Sequence, residues 1–226
     1  MKLYVDAFYE FLSRPLRRGT RPVLALLVIP LALVFTQPVW RISMEAPQYP
    51  GGLYMDIYAH KVEGGNDGQH IHEINTLNHY IGMSKLDETA FSDTLWIPFA
   101  FGALLIFTLR VAAIGNVRAL VDLVVMAGYV SLFAFGRFVY MLYTYGHVLD
   151  PEAPVKVTPF MPAVIGTKQI ANFTTHSLPQ LGSLFLGLFM TGIIGVLAWH
   201  LFAGRRAAVK RATSGEMPAA GTPAQA

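Results

Sequence analysis

The sequence contains no cysteine, and this absence excludes several classes of protein at once. Disulfides and thiolate metal sites need the thiol side chain, so the chain has neither. Covalent c-type haem is excluded because no Cys-x-x-Cys-His motif exists. The chain also lacks Gly-x-Ser-x-Gly, His-Glu-x-x-His and a phosphate-binding glycine loop, so nothing indicates hydrolytic chemistry or an ATPase.

Charged side chains are scarce as well. They make up 14% of the 226 residues, whereas a soluble domain of this size carries about 25%. About 20 apolar residues cross the hydrocarbon core of a bilayer as a helix. Apolar runs of that length cover residues 22–40, 95–114, 119–146 and 179–203. The sequence therefore predicts an all-α membrane protein with four transmembrane helices.

The basic residues lie mainly on one side of these four runs. Cytoplasmic loops carry the excess of lysine and arginine, so we expect both termini in the cytoplasm of a bacterial inner membrane. Because the charge follows this topological pattern, the pI of about 9.2 does not indicate a nucleic-acid partner. The basic residues on the expected cytoplasmic side are Lys2, Arg14, Arg17, Arg18, Arg21, Arg110, Arg118, Arg205, Arg206, Lys210 and Arg211.

The segments outside the apolar runs predict a small mixed periplasmic cap. Residues 41–94 and 147–178 form this cap, with a strand over 53–62, a helix over 72–83 and a short capped helix over 84–91. The second segment is proline-rich and reads as a loop. Residues 1–21 form a cytoplasmic amphipathic segment. Residues 204–226 form a basic segment and a disordered tail.

Six of the seven histidines fall in the predicted cap. If residues 72–83 are helical, His72, Asn75, His79 and Met83 share one stripe. His79 and Met83 are then one turn apart, and an imidazole with a soft thioether favours copper, particularly the cuprous ion. Asn75, Asn78 and Glu73 are candidate supporting residues.

Two other readings of this segment stay open. His70 and His72 point the same way only if their segment is extended, and they then form a further candidate metal site. Alternatively, they lie in a solvated loop, while His79 and Asn78 are hydrogen-bonding residues that lock the cap onto the membrane domain.

Four further residues indicate an alternative, electron-transfer function. His147 and His176 end the third apolar run and precede the fourth, so they could ligate one non-covalent haem b. Arg137 lies inside the third run, where a charge is costly, and with Tyr140 it could bind a quinol head group. The competing reading is that Arg137 pairs with an outer carboxylate or extends to the interface.

Three motifs carry a resemblance to a known family. Residues 46–53 read APQYPGGL, residues 56–58 read DIY and residues 74–83 read INTLNHYIGM. In these motifs the chain resembles a family of small bacterial multi-pass membrane proteins that are encoded beside copper-dependent respiratory enzymes, including nitrous oxide reductase and nitric oxide reductase systems. The resemblance implies copper handling or electron-transfer support in denitrification-like respiration, with His79 and Met83 as the residues that match best.

The expected function is thus that of a non-catalytic accessory protein or subunit. It would bind or relay copper at the periplasmic face, with membrane lipid and a respiratory metalloenzyme or its maturation proteins as partners. Two alternatives remain, namely a haem- or quinol-binding electron-transfer subunit and a metal-free structural subunit of a respiratory complex.

Overall fold

The predicted cap contains one antiparallel sheet. The structure, a computed structural model, describes residues 12–86, 93–170 and 172–213, with side chains as far as residue 203. Within these residues the sheet has five strands, in the order β3-β2-β1-β5-β4. The strands are β1 (Trp40–Ala46), β2 (Tyr49–Ile57), β3 (Val62–Gly64), β4 (Gly166–Ile170) and β5 (Phe173–Pro179).

The sheet has one polar face and one apolar face because successive side chains of a strand point in opposite directions. Arg41 of β1 lies opposite Asp56 of β2, and Ser43 lies between Tyr54 and His176 on the same face. The intervening residues of the same strands form the other face. These include Ile42, Met44, Leu53, Met55, Thr175 and Ser177.

Helices make up most of the remaining described chain. Three of them are long and apolar enough to cross a membrane, over Asp93–Ile114, Val117–His147 and Leu181–Ala203. The helices are α1 (Thr20–Leu26), α2 (Val28–Leu33), α3 (Gln69–Ile81), α4 (Asp93–Ile114), α5 (Val117–His147) and α6 (Leu181–Thr213), with a 3-10 turn at Val34–Thr36 after α2.

The prediction of an all-α fold is wrong, because the five-stranded sheet makes the protein mixed α/β. A strand was predicted only over residues 53–62, where the structure has the end of β2, a turn and the start of β3. The prolines of the second loop are concentrated between residues 151 and 162. The chain that follows them has threonine and aromatic residues that suit a strand, and it forms β4 and β5.

The prediction of four transmembrane helices is also wrong. The first apolar run forms a helical segment over Thr20–Thr36, which is shorter than the other three and is interrupted at Leu27. Pro30 explains the interruption, because its ring cannot donate to the carbonyl of Leu26 and clashes with it. The segment packs against α4 and α6, with which it forms a helix bundle together with α5. Leu24, Leu31 and Val34 are fully buried there.

The bundle has the sheet at one end, and the first described residues of the chain lie at the other end, near His200 of α6. Beside the α4–α5 turn, the backbone N–H of Leu16 donates to Gly115 O at 2.6 Å, and Thr20 Oγ1 lies 3.2 Å from His200 Nε2. At the sheet end, the N–H of Gly182 donates to Pro38 O at 2.9 Å. The sheet therefore covers one end of the bundle, with its apolar face towards α5.

Three predicted segments lie partly or wholly outside the described residues. These are the amphipathic segment over 1–21, of which residues 1–11 are not described, the short helix over 84–91, and the tail beyond residue 213. Within the second of these, Ser84–Leu86 has no helical structure. The helix predicted over 72–83 is confirmed as α3, with its start moved to Gln69 and its end to Ile81.

Candidate functional site

A cavity of about 80 Å³ lies between the apolar face of the sheet and the end of α5. Its walls come from β1, β2 and β5, from α3, from the segment after α3 and from the loop around Phe160. Almost all of the surface that lines it is apolar. The residues that come together here extend from Ile42 to Ser177 in the chain, so the sheet pairing and the packing of α3 and α5 against it create the site.

Four of the nine methionines of the chain line this cavity. Seventeen residues form the lining, and at the average frequency of methionine in the chain they would include fewer than one. The four are Met44 of β1, Met55 of β2, Met83 after α3 and Met141 of α5. Four thioethers from four separate segments therefore face one small space.

The hydroxyl groups around the cavity are engaged with backbone carbonyls. Thr175 Oγ1 donates to Lys168 O at 3.0 Å, and Ser177 Oγ donates to Val164 O at 2.9 Å. Tyr145 OH donates to Lys85 O at 3.1 Å. The amide of the buried Asn78 also lines the site, and it donates to Ser84 O at 3.5 Å.

Asn75 and Asn78 position Met83. The helix α3 ends at Ile81 because Gly82 adopts a left-handed conformation with φ 78°, and the N–H of Met83 then donates to Asn78 O at 2.9 Å. The side chain of Asn75 forms two bonds to Leu86, donating to its carbonyl at 3.0 Å and accepting from its N–H at 2.7 Å. The predicted supporting residues thus hold the chain that carries Met83.

Gly82 allows a second segment to pack against this turn. Its carbonyl accepts a hydrogen bond from the N–H of Asp150 at 2.8 Å. A Cβ at this position would lie only 2.9 Å from Asp150 backbone atoms and from Ala153 Cβ. A side chain is therefore excluded both by the positive φ and by the close approach.

The structure does not bring the predicted histidine ligands to the cavity. His72 and His79 are exposed on α3, whereas Ile74, Asn78 and Ile81 form its buried face. Met83 lies beyond the end of the helix, so it does not share the helical stripe of His79. Met83 and Asn78 are the predicted residues that do line the cavity.

His70 has a structural role at the edge of the sheet. Strand β3 pairs with Met55–Ile57, and beyond it the N–H of Tyr54 donates to His70 Nδ1 at 3.2 Å. The Tyr54 ring meets the imidazole edge-on at 5.0 Å between centroids. His70 Nδ1 is therefore occupied as an acceptor and is not available as a metal ligand in this conformation.

Glu73 connects α3 to the sheet. Its carboxylate accepts a short hydrogen bond from the hydroxyl of Tyr49 on β2. This bond is the main cause that raises the pKa of Tyr49 above its usual value. Glu73 thus supports the position of α3 and does not reach the methionines, since it is absent from the cavity lining.

Arg137 is paired within the bundle. Its Nε lies 3.0 Å from Asp93 Oδ1, which also accepts from Trp96 Nε1 at 2.7 Å. The guanidinium lies 5.7 Å from the centroid of the Tyr140 ring. These contacts agree with the reading in which Arg137 pairs with a carboxylate at the outer end of the helices.

His147 and His176 lie on different faces of the sheet. His176 is on the polar face, where Nδ1 lies 2.7 Å from Thr167 Oγ1 and Nε2 lies 3.8 Å from Glu45. His147 ends α5, which packs under the apolar face, and its ring stacks on Tyr143 at 3.9 Å. The fold therefore does not place these two side chains as facing ligands of one haem.

Within the described part of the chain, no group of three or more histidine and carboxylate side chains is placed to hold a metal ion. The methionine cavity is thus the cluster of potential ligands that the fold assembles. Comparison with protein-family models, with curated proteins and with solved structures finds no match. The functional conclusion therefore rests on the chemistry of this cavity.

The sequence pattern indicated buried, apolar positions for three of the four methionines, but it did not indicate a shared site. Met44 and Met55 alternate with Ile42 and Leu53 on the apolar positions of their strands, and Met141 lies on the third apolar run. Each position looks like an ordinary core residue by itself. Only the pairing of β1 with β2 and the packing of α5 under them bring the sulfur atoms to one site.

Proposed function

We propose that the chain is a non-catalytic membrane protein that holds cuprous copper in the methionine cavity and relays it to a respiratory metalloenzyme. The observation that carries this proposal is the convergence of Met44, Met55, Met83 and Met141 on one cavity. The three apolar helices anchor this site at the end of a membrane bundle. The periplasmic orientation is supported by the one-sided distribution of basic residues.

The donor set fits the cuprous ion better than other metals. Thioethers are soft, neutral ligands that favour Cu(I), whereas zinc, magnesium and calcium favour imidazole, thiolate or carboxylate donors. Neutral ligands in an apolar cavity also suit an ion of single charge. The four methionines would hold the metal, and bound copper would supply a cargo or an electron carrier for the partner enzyme.

The position of the site is also suited to transfer of a metal. Met83 lies on an irregular segment after α3, so the site is open to side-chain rotation at one of its four thioethers. The exposed His72 and His79 are on the outer surface of α3, on the other side of this helix from the cavity. They would be a first point of contact for a metal before it reaches the thioethers.

Titration of the purified protein with Cu(I) against a chromophoric chelator tests the proposal. We expect one copper per chain, and at least about a tenfold weaker affinity, equivalent to ~1.4 kcal/mol, for Met44→Leu combined with Met55→Leu. Leucine preserves the volume and the apolar character of methionine, so the fold is retained. Met126→Leu on α5 is the matched control, because Met126 is exposed and does not line the cavity.

Two outcomes would contradict the proposal. One is an absence of stoichiometric Cu(I) binding after reloading of the metal-free protein. The other is an equal affinity in the cavity variant and in Met126→Leu. Methionine also fills irregular gaps in hydrophobic cores, and either outcome would favour the metal-free structural subunit. A weaker affinity in His79→Ala would show that this histidine takes part although it lies outside the cavity.

A further inference from the structure

A second cavity lies next to the methionine cavity, along the same face of the sheet. Its volume is about 200 Å³, and α4, α5, α6 and the first residues of β1 surround it. Trp40 and Ile57 line it, whereas their neighbours Ile42 and Met55 line the methionine cavity. Met141 lines both cavities and therefore forms the wall between them.

Several polar side chains around this second cavity already have partners. Ser183 Oγ donates to Val39 O at 2.6 Å, and the Asp93 carboxylate accepts from Arg137 and Trp96. The hydroxyl of Ser131 lies 3.8 Å from the sulfur of Met190. The rest of the lining is aliphatic and aromatic, and it includes the ring of Tyr58. Such a cavity selects a ligand that needs no hydrogen bond.

The size and position of the cavity indicate the source of that ligand. A dry apolar cavity of about 150 Å³ is large enough to bind benzene, and this one is larger. Phe135 both lines the cavity and is 44% exposed on the apolar outer surface of α5. If the bundle spans a bilayer, this surface faces lipid, and a hydrocarbon chain reaches the cavity beside Phe135.

We propose that this cavity binds the acyl chain of a membrane phospholipid. A hydrocarbon chain fits because it gains apolar burial and leaves no polar group without a partner. A quinone ring fits less well, because the hydroxyl groups of Ser131 and Ser183 are already engaged and the surface that lines the cavity is almost entirely apolar. The proposal does not depend on copper, so the experiment uses the metal-free protein. A negative result would reject lipid binding and would leave the copper proposal unaffected.

Fluorescence of Trp40 reports on the occupant. The chain has three tryptophans, so Trp96→Phe with Trp199→Phe leaves Trp40 as the single emitter. In nanodiscs of phospholipid brominated on its acyl chains, we expect bromine to quench Trp40. Ala134→Phe places a ring into the cavity and should restore the emission towards the level in unbrominated lipid. Ala113→Phe, on the exposed surface of α4 away from the cavity, should leave the quenching unchanged.

Three results would overturn the proposal. The first is equal quenching in Ala134→Phe and in Ala113→Phe. The second is no quenching by the brominated lipid in any variant. The third is quenching that occurs only with an added decyl-benzoquinone and disappears in Ala134→Phe, which would assign the cavity to a ring. If Ala134→Phe does not fold by circular dichroism, the smaller change Ala134→Leu takes its place in the same comparison.

Discussion

At the scale of single residues, Asn75 connects the end of α3 to the chain that carries Met83. Its amide donates to and accepts from the backbone of Leu86, which is a buried residue. The Asn75 side chain thus satisfies the backbone N–H and carbonyl of Leu86, as a neighbouring strand would do. The position of Met83 at the cavity depends on this pair of bonds and on the left-handed turn at Gly82.

We therefore expect Asn75→Ala to destabilise the protein. The change leaves the N–H and the carbonyl of Leu86 without their partner, and an unsatisfied buried group costs ~1–3 kcal/mol. Thermal unfolding in detergent measures the effect. Thr76→Ala is the control, because this neighbouring side chain is exposed and bonds only to His72 O in the preceding turn. Equal melting temperatures for the two variants would show that the two hydrogen bonds between Asn75 and Leu86 do not contribute to stability.

A second residue-scale expectation concerns Tyr49. Its hydrogen bond to Glu73 is the main cause of its raised pKa, so the bond stabilises the folded state at pH values below the ordinary tyrosine value of about 10. The stabilisation is lost as the pH rises through the raised folded value. Tyr49→Phe should therefore lower stability at neutral pH, and this loss of stability should shrink as the pH rises through the raised value, where a phenolate would face the Glu73 carboxylate. Measuring the free energy of unfolding of the parent protein and of Tyr49→Phe at several pH values tests this. A difference between the two that does not change with pH would contradict it.

At the scale of elements, the pairing of β1 with β2 includes an ion pair on the polar face of the sheet. Both nitrogens of the Arg41 fork lie 2.6 Å from the oxygens of Asp56, which is largely buried. The guanidinium also lies 4.5 Å from the centroid of the Tyr54 ring. This pair is the main cause that raises the pKa of Arg41 above its usual value.

Asp56→Asn should accordingly destabilise the sheet. Breaking a fully buried pair costs about 3–5 kcal/mol, and we expect ~1–3 kcal/mol here because the Arg41 side chain is 40% exposed. Glu63→Gln breaks the exposed pair between Glu63 of β3 and Lys61, and it should cost less than Asp56→Asn because solvent screens this pair. Chemical unfolding of both variants gives the comparison. A larger loss of stability for Glu63→Gln than for Asp56→Asn would contradict the conclusion that the pair of Asp56 with Arg41 stabilises the sheet.

The elements also show what the sequence could predict. The lengths of the apolar runs predicted α4, α5 and α6, and residues 72–83 were predicted as the helix that the structure has as α3, because these are local properties of the chain. The sheet was missed because β1 pairs with β5, whose residues lie more than one hundred positions away. Met83 was predicted from its motif, while Met44, Met55 and Met141 became a site only through this non-local pairing.

At the scale of the whole molecule, the sheet and the basic N-terminal segment lie at opposite ends of the bundle. Lys156 is exposed in the loop whose neighbour Val155 donates to Tyr80 O on α3. Arg118 is exposed in the first turn of α5, beside the backbone bond between Val117 and Arg14. The distribution of basic residues predicts that the first position lies outside the cytoplasm and the second position inside it.

Because the chain has no cysteine, single cysteines introduced at these two positions report the orientation directly. A membrane-impermeant maleimide added to spheroplasts should label Lys156→Cys at once and Arg118→Cys only after permeabilisation. The cysteine-free parent is the control. The opposite pattern would place the sheet and the methionine cavity in the cytoplasm. A periplasmic copper relay would then be excluded, even if the cavity binds Cu(I), because its cargo would come from the other side of the membrane.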